Sequence, residues 1–168
     1  MFNSTAYLAG LGNSVGAKRG CFGWSWSTKE LALFNLGFDS KLRSCDLLGL
    51  RVRDICHGSQ VASRAIVMQQ KTHRPVQFEI TPATRECVEA WMREAALGPE
   101  DYVFPSRIHG SPLIGTRQYA RILHGWVNNI GLDTTAYGTH SMRRSKASMI
   151  YKKTKNLRAF GFSRQIPR

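Results

Sequence analysis

The sequence predicts an α+β fold, mostly helical, with a small three-stranded antiparallel sheet. Three observations lead there. Apolar residues recur at helical spacing in residues 28–38, 81–96 and 116–130, and again in the stretch that opens at Thr139. Between the first two of these, residues 51–80 hold three strand-like runs, one imperfectly alternating, one with the apolar core Ala65-Ile66-Val67-Met68 and one alternating Val76, Phe78 and Ile80, separated by the turn-like His57-Gly58-Ser59-Gln60 and Lys71-Thr72-His73-Arg74. The chain has 168 residues, 42% of them hydrophobic, which suits a single domain with a real core.

Taken in order, residues 1–27 form a glycine-rich arm without periodicity, holding Gly10, Gly12, Gly16, Gly20 and Gly23. Trp24 and Trp26 are placed to pin its end to the core; base stacking is the sharper alternative. The first helix starts at Thr28 as N-cap, with Leu31, Phe34 and Phe38 on one face. A polar corner, Asp39-Ser40-Lys41, leads to a short helical turn that begins at Arg43 and is anchored by Leu47, Leu48 and Leu50. Asp46 lies three residues after Arg43 and can hold its guanidinium. The plainer reading of that pair is a surface ion pair of little energy. Residues 51–56, 65–70 and 75–80 then read as strands of an antiparallel meander, with Lys71 at the second turn. Thr81-Pro82 opens a helix whose apolar side carries Val88, Trp91 and Met92. Tyr102-Val103-Phe104-Pro105 is extended. Tyr119, Ile122, Leu123, Trp126, Val127 and Ile130 then mark a further amphipathic helix.

Charge narrows the class of partner. Lys and Arg number 24 against 11 Asp and Glu, a formal charge of +13. Every acidic residue lies between Glu30 and Asp133, so everything from Thr134 onward is cationic or neutral. A phosphate backbone rewards that layout through counterion release. A membrane surface would also attract it, but no aromatic apolar face accompanies the basic run, so nucleic acid is the expected partner and no membrane is. Cys21, Cys45, Cys56 and Cys87 are scattered and form neither a zinc pattern nor a disulfide framework. Free thiols suit a reducing cytosol. No apolar run is long enough to span a bilayer, and the first residues lack the basic start and hydrophobic core of a signal peptide. Clustered carboxylates for divalent ions are not seen, which disfavours a metal-dependent nuclease.

The densest chemistry sits in residues 139–155. Gly138 and Thr139 suit a helix start, and Met142, Met149 and Ile150 give a buried stripe. His140 and Arg143 are one turn apart and can face one object, with Arg144, Lys146, Lys152, Lys153 and Lys155 around them. Imidazole and guanidinium together suit an oxyanion such as phosphate. On its own this short pattern also describes a solvated cationic face with one incidental histidine.

The order of these features is more telling than any one of them. Leu42-Arg43-x-x-Asp46-Leu47-Leu48-x-Leu50 is followed by Lys71-Thr72 in a hairpin, then by Thr139-His140-Ser141-Met142-Arg143-Arg144-Ser145-Lys146-Ala147. This succession resembles the tyrosine recombinase (phage integrase) family over about residues 28–157. The resemblance implies a mostly helical recombinase catalytic core acting on double-stranded DNA, through a 3′-phosphotyrosyl intermediate and without metal or nucleotide. It implies that Arg43 and Arg143 clamp the non-bridging oxygens of one phosphate, and that Lys71 protonates the leaving 5′-oxygen. By the same resemblance His140 assists proton transfer or orients the phosphate, and Asp46 steadies Arg43. Arg144, Lys146, Lys152 and Lys153 are the expected DNA-backbone contacts.

Residues 158–168 depart from the family pattern. No Leu-Gly-His run appears and no tyrosine follows Tyr151. Tyr151 shares its predicted helix with Arg143, and Tyr137 and Tyr119 precede the motif, so no nucleophile is assigned. The expected organisation is an arm at 1–27, an integrase-like core at 28–157 and a divergent tail at 158–168, with both ends of a larger enzyme lost or replaced. Such a chain is expected to be inactive alone, in a bacterial or phage-type cytoplasm, with an intact recombinase protomer as a possible partner. The alternative is a non-catalytic DNA-binding or regulatory module derived from an integrase. A generic basic domain, in which Arg43, Lys71 and Arg143 act only as charges, is the third reading.

Overall fold

The computed structural model describes residues 26–58, 60–107, 110–129, 133–135, 138 and 139. The elements are α1 (Thr28–Ser40), α2 (Ser44–Leu48), α3 (Val52–Ile55), β1 (Cys56–His57), β2 (Gln60–Val61), β3 (Arg64–Met68), β4 (Pro75–Glu79), α4 (Pro82–Glu94) and α5 (Thr116–Asn129). The mixed, mostly helical class expected from the sequence is what these elements form.

Helix α1 starts one residue earlier than the sequence suggested. Ser27 is the N-cap, its hydroxyl accepting from the Glu30 N–H while the Glu30 carboxylate accepts from the Ser27 N–H. This reciprocal pair satisfies two donors that a Thr28 cap would leave to water. Ala32, Leu33 and Leu36 are fully buried against the rest of the core, and α1 packs along α4. Trp26 lies 5.6 Å from Phe34 and 5.1 Å from Trp126 by ring centroids, so it does pin the chain entering α1 to helix α5. Trp24 lies outside the described residues.

The end of α1 is buried rather than a solvated corner. Asp39 is 6% and Ser40 1% exposed. The Asp39 Oδ2 accepts from the Thr81 N–H at 3.0 Å, the Thr81 hydroxyl at 2.8 Å and the Thr84 hydroxyl at 2.6 Å. Since Thr81 is the N-cap of α4, with Pro82 at its first position, one carboxylate joins the end of α1 to the start of α4. Lys41 then turns the chain in the left-handed region at φ 54°. A residue with a Cβ pays about 1 kcal/mol there, and the Asp39 network holds it in place.

The expected three-stranded sheet is two separate two-stranded ladders among the described residues, β1 with β2 and β3 with β4. Two local causes divide it. Residues 52–55 coil into α3 because Asp54 caps them, its carboxylate accepting the Arg51 N–H at 2.8 Å. Val52 and Ile55, three apart, both reach the core that way. Ala62 and Ser63 then separate β2 from β3 along the chain, Ala62 donating its N–H to the Ile55 carbonyl and Ser63 accepting from the Ile80 N–H. In the longer ladder β4 keeps the expected alternation, with Val76 and Phe78 buried, and in β3 Ala65 is buried while the apolar Ile66 and Met68 face outward. Helix α4 donates the Trp91 indole N–H to the Val103 carbonyl at 2.7 Å, which ties the 102–105 segment down. Helix α5 buries Tyr119, Leu123, Trp126 and Val127 and packs against α2. No described helix is long and apolar enough to cross a membrane.

Candidate functional site

The site grows from the junction of α1 and α2. Arg43 is the N-cap of α2, extended at φ −68° and ψ 155°. Leu42 before it and Leu47 and Leu48 after it are buried, so the backbone that presents Arg43 is fixed on both sides. The side chain itself is half-buried. Its Nη1 is buried and has no hydrogen-bond partner among the described residues. An unpaired buried donor on a fixed cation is costly unless an anion meets it.

Asp46, one turn into α2, is 3% exposed. It is not placed as the sequence suggested. Among the described residues it makes no ion pair with Arg43. Its Oδ1 accepts the Gln70 backbone N–H at 2.9 Å, and its Oδ2 is buried without a partner among the described residues. The carboxylate therefore joins the Arg43 helix to the turn between β3 and β4. The Gln70 side-chain amide donates to the Cys45 carbonyl at 3.4 Å, a second bond between the same two elements.

That turn carries Lys71. Its shape comes from within: the Gln69 N–H donates to the Arg74 carbonyl at 3.0 Å, the His73 N–H to the Gln69 carbonyl at 2.9 Å and the Thr72 hydroxyl to the Gln69 side chain at 2.7 Å. His73 takes φ 48° to close it. Lys71, Thr72, His73 and Arg74 are all exposed. With no acid in residues 69–74, the tip is a cationic projection held to the side of α2. Thus Arg43, Asp46 and the Lys71 turn form one structural unit. His140, Arg143, Arg144, Lys146, Lys152 and Lys153 lie outside the described residues, as do the tail at 158–168, Tyr137 and Tyr151.

Sequence reasoning missed Gln70 and Gly49. Gly49 follows α2, and a Cβ there would lie 2.8 Å from the Gln70 Nε2 and 3.1 Å from the Cys45 carbonyl oxygen. The glycine inside Leu47-Leu48-Gly49-Leu50 was the available signal, since glycine among helix-compatible leucines often marks a close approach. Tyr119 is 3% exposed and burial pushes its phenol well above the ordinary tyrosine range, so it is no accessible nucleophile. Lys29 is a further cation of note. It donates to the Pro105 carbonyl at 2.7 Å and sits 5.4 Å from the Trp91 ring, and burial, with Arg107 nearby, lowers its pKa. Among the described residues no group of three or more His, Cys, Asp or Glu is placed to hold a metal ion.

Comparison with known proteins follows the same lines. The model of the Phage integrase family matches residues 24–160. No curated protein matches the chain. Among solved structures, XerH site-specific recombinase bound to palindromic difH substrate, a post-cleavage complex, is similar with a TM-score of 0.72 and 18% identity, covering 97% of this chain and 44% of that one. XerH in a pre-cleavage complex with difH gives 0.69 and 17%, covering 97% and 46%. XerA recombinase gives 0.70 and 14%, covering 96% and 52%. At such identities the likeness is one of fold, and the chain spans about half the length of these proteins.

Proposed function

Since the chain belongs to the phage integrase family, we propose that it binds double-stranded DNA and clamps one backbone phosphate as a tyrosine recombinase catalytic core does. The observation that carries this reading is the half-buried Arg43, whose Nη1 has no partner among the described residues, on a helix bonded through Asp46 to the turn that bears Lys71. Two guanidinium groups, Arg43 and Arg143, would each offer fork-shaped donors to the non-bridging oxygens. Charge placed in advance where it develops in the transition state is often the largest catalytic contribution. In the transfer, a tyrosine oxygen bonds to phosphorus while the bond from phosphorus to the 5′-oxygen breaks. Lys71 gives its proton to that leaving oxygen, and His140 assists proton transfer or orients the phosphate. Arg144, Lys146, Lys152 and Lys153 add backbone contacts. The setting is a bacterial or phage-type cytoplasm, where the substrates of such a core reside.

No tyrosine is assigned as nucleophile in this sequence, and the cation clamp cannot substitute for one. The 168-residue chain by itself therefore binds duplex DNA without joining it covalently, and an intact recombinase protomer is the natural source of the tyrosine. The second reading, a DNA-binding or regulatory module without catalysis, shares the clamp. A nicked suicide substrate, with and without such a protomer, separates them. A covalent adduct that appears only with the protomer, and is lost on Arg43→Ala, supports the catalytic core. An adduct formed by the chain alone overturns the missing-nucleophile claim. For the clamp itself, Arg43→Ala should lower DNA affinity by about tenfold and flatten the salt dependence by about one phosphate contact. Arg43→Lys should not restore it, because a point charge cannot bridge two oxygens. Full affinity in either variant contradicts the clamp.

A further inference from the structure

We propose that Gln70 is the positioning residue for Lys71, and that Gly49 is glycine to make room for it. This deepens the reading of Lys71 as proton donor and rests on it. The residue directly before Lys71 bonds to two consecutive residues of α2, its backbone N–H to Asp46 at 2.9 Å and its side-chain amide to the Cys45 carbonyl at 3.4 Å. The bonds inside the turn fix its shape but not where it sits. The β3–β4 ladder, whose last pair is Met68 with Pro75, carries the turn; the Asp46 bond ties its tip to α2 at one point and the Cys45 bond adds a second. Both anchors lie just past Arg43, so the same pair sets Lys71 relative to the guanidinium.

Gly49 has φ −78° and ψ 0°, a conformation open to any residue. Backbone freedom therefore does not explain the glycine. Space does: an added Cβ would come within 2.8 Å of the Gln70 Nε2. That amide is the end of a flexible side chain and would yield, giving up its bond to Cys45. The 3.1 Å approach to the Cys45 oxygen asks for only a small adjustment. Gln70 is itself exposed, so truncating it removes the anchor without opening a core cavity.

The test uses the full chain with 13C-methylated lysines, the Lys71 signal being identified by its loss in Lys71→Arg. Two quantities are read: hydrogen-exchange protection of the residue-70 amide without DNA, and the shift of the Lys71 signal on adding duplex DNA. Gln70→Ala and Gly49→Ala should each lower the amide protection by about fivefold and reduce the DNA-induced Lys71 shift, with melting temperatures unchanged. The double variant should match Gln70→Ala, because the added Cβ then no longer meets the Gln70 amide and the Cys45 oxygen asks for only a small adjustment. Wild-type protection and Lys71 shift in both single variants, or additive losses in the double, overturn the proposal. A wild-type Lys71 signal that ignores DNA refutes the reading of Lys71 as a DNA-facing group. The amide protection still decides the seat in that case, with unchanged protection overturning it.

Discussion

Replacing Asp46 by alanine should loosen one turn far more than it destabilises the domain. Asp46 is 3% exposed and accepts the Gln70 N–H at 2.9 Å. A hydrogen bond to an ionised acceptor contributes about 1.5–3 kcal/mol, and alanine removes it entirely. The other oxygen acts in the opposite direction. Asp46 Oδ2 is buried without a partner among the described residues, and an unpaired buried acceptor costs about 1–3 kcal/mol, which alanine relieves. The net loss of global stability is then about 1 kcal/mol or less. The Gln70 amide receives no such relief. It loses its acceptor, worth about 2 kcal/mol, so its exchange should speed up about thirtyfold. Native-state hydrogen exchange at residue 70, beside a urea unfolding curve, separates the two. Asp46→Asn keeps an acceptor oxygen and should hold most of the protection. The reasoning is refuted if Asp46→Ala leaves the residue-70 amide as protected as before. It is equally refuted if protection and global stability fall by the same amount.

Asp39→Ala removes three hydrogen bonds at one oxygen, on a residue 6% exposed. A loss of about 3 kcal/mol and about 10 °C in melting temperature is expected by calorimetry; a loss under about 1 kcal/mol would deny Asp39 its role between α1 and α4. Burial, with Glu89 adding to it, raises the Cys56 thiol from 9.0 to about 11. Its alkylation by iodoacetamide at pH 8 should be about a hundredfold slower than that of a free cysteine. The folded state keeps a proton that the unfolded chain releases between pH 9 and about 11, so this group lowers stability as pH rises through that window. Cys56→Ala should lack that part of the slope in urea titrations, and an identical slope would contradict the assignment.

The helices that could be read from sequence are those whose local signals and burial agree. Thr81-Pro82 caps α4 where expected, and the stripe Tyr119, Leu123, Trp126 and Val127 is the buried face of α5. Residues 51–56 were ambiguous in principle, because Val52 and Ile55 can meet the core from a bent strand or from one helical turn. The Asp54 cap decides for the turn. Asp39 and Asp46 illustrate a different limit. As letters both suit a solvated corner or an ion pair with a neighbour. Their partners, Thr81 and Thr84 for one and Gln70 for the other, lie 24 to 45 residues away. Only packing brings those partners near, and packing leaves no local trace. The order of motifs singles out Arg43 and Lys71 in the sequence, whereas the bonds that join their two elements through Asp46 and Gln70 leave no mark there.

The central claim is that cations from separate parts of the chain meet at one phosphodiester. A crystal structure of the chain on duplex DNA tests it directly, by the distances from the Arg43 and Arg143 guanidinium nitrogens and the Lys71 Nζ to phosphate oxygens. The account expects all three within about 3 Å of oxygens on a single phosphate. Arg43 turned away from the DNA, or the three groups resting on different phosphates, would contradict it.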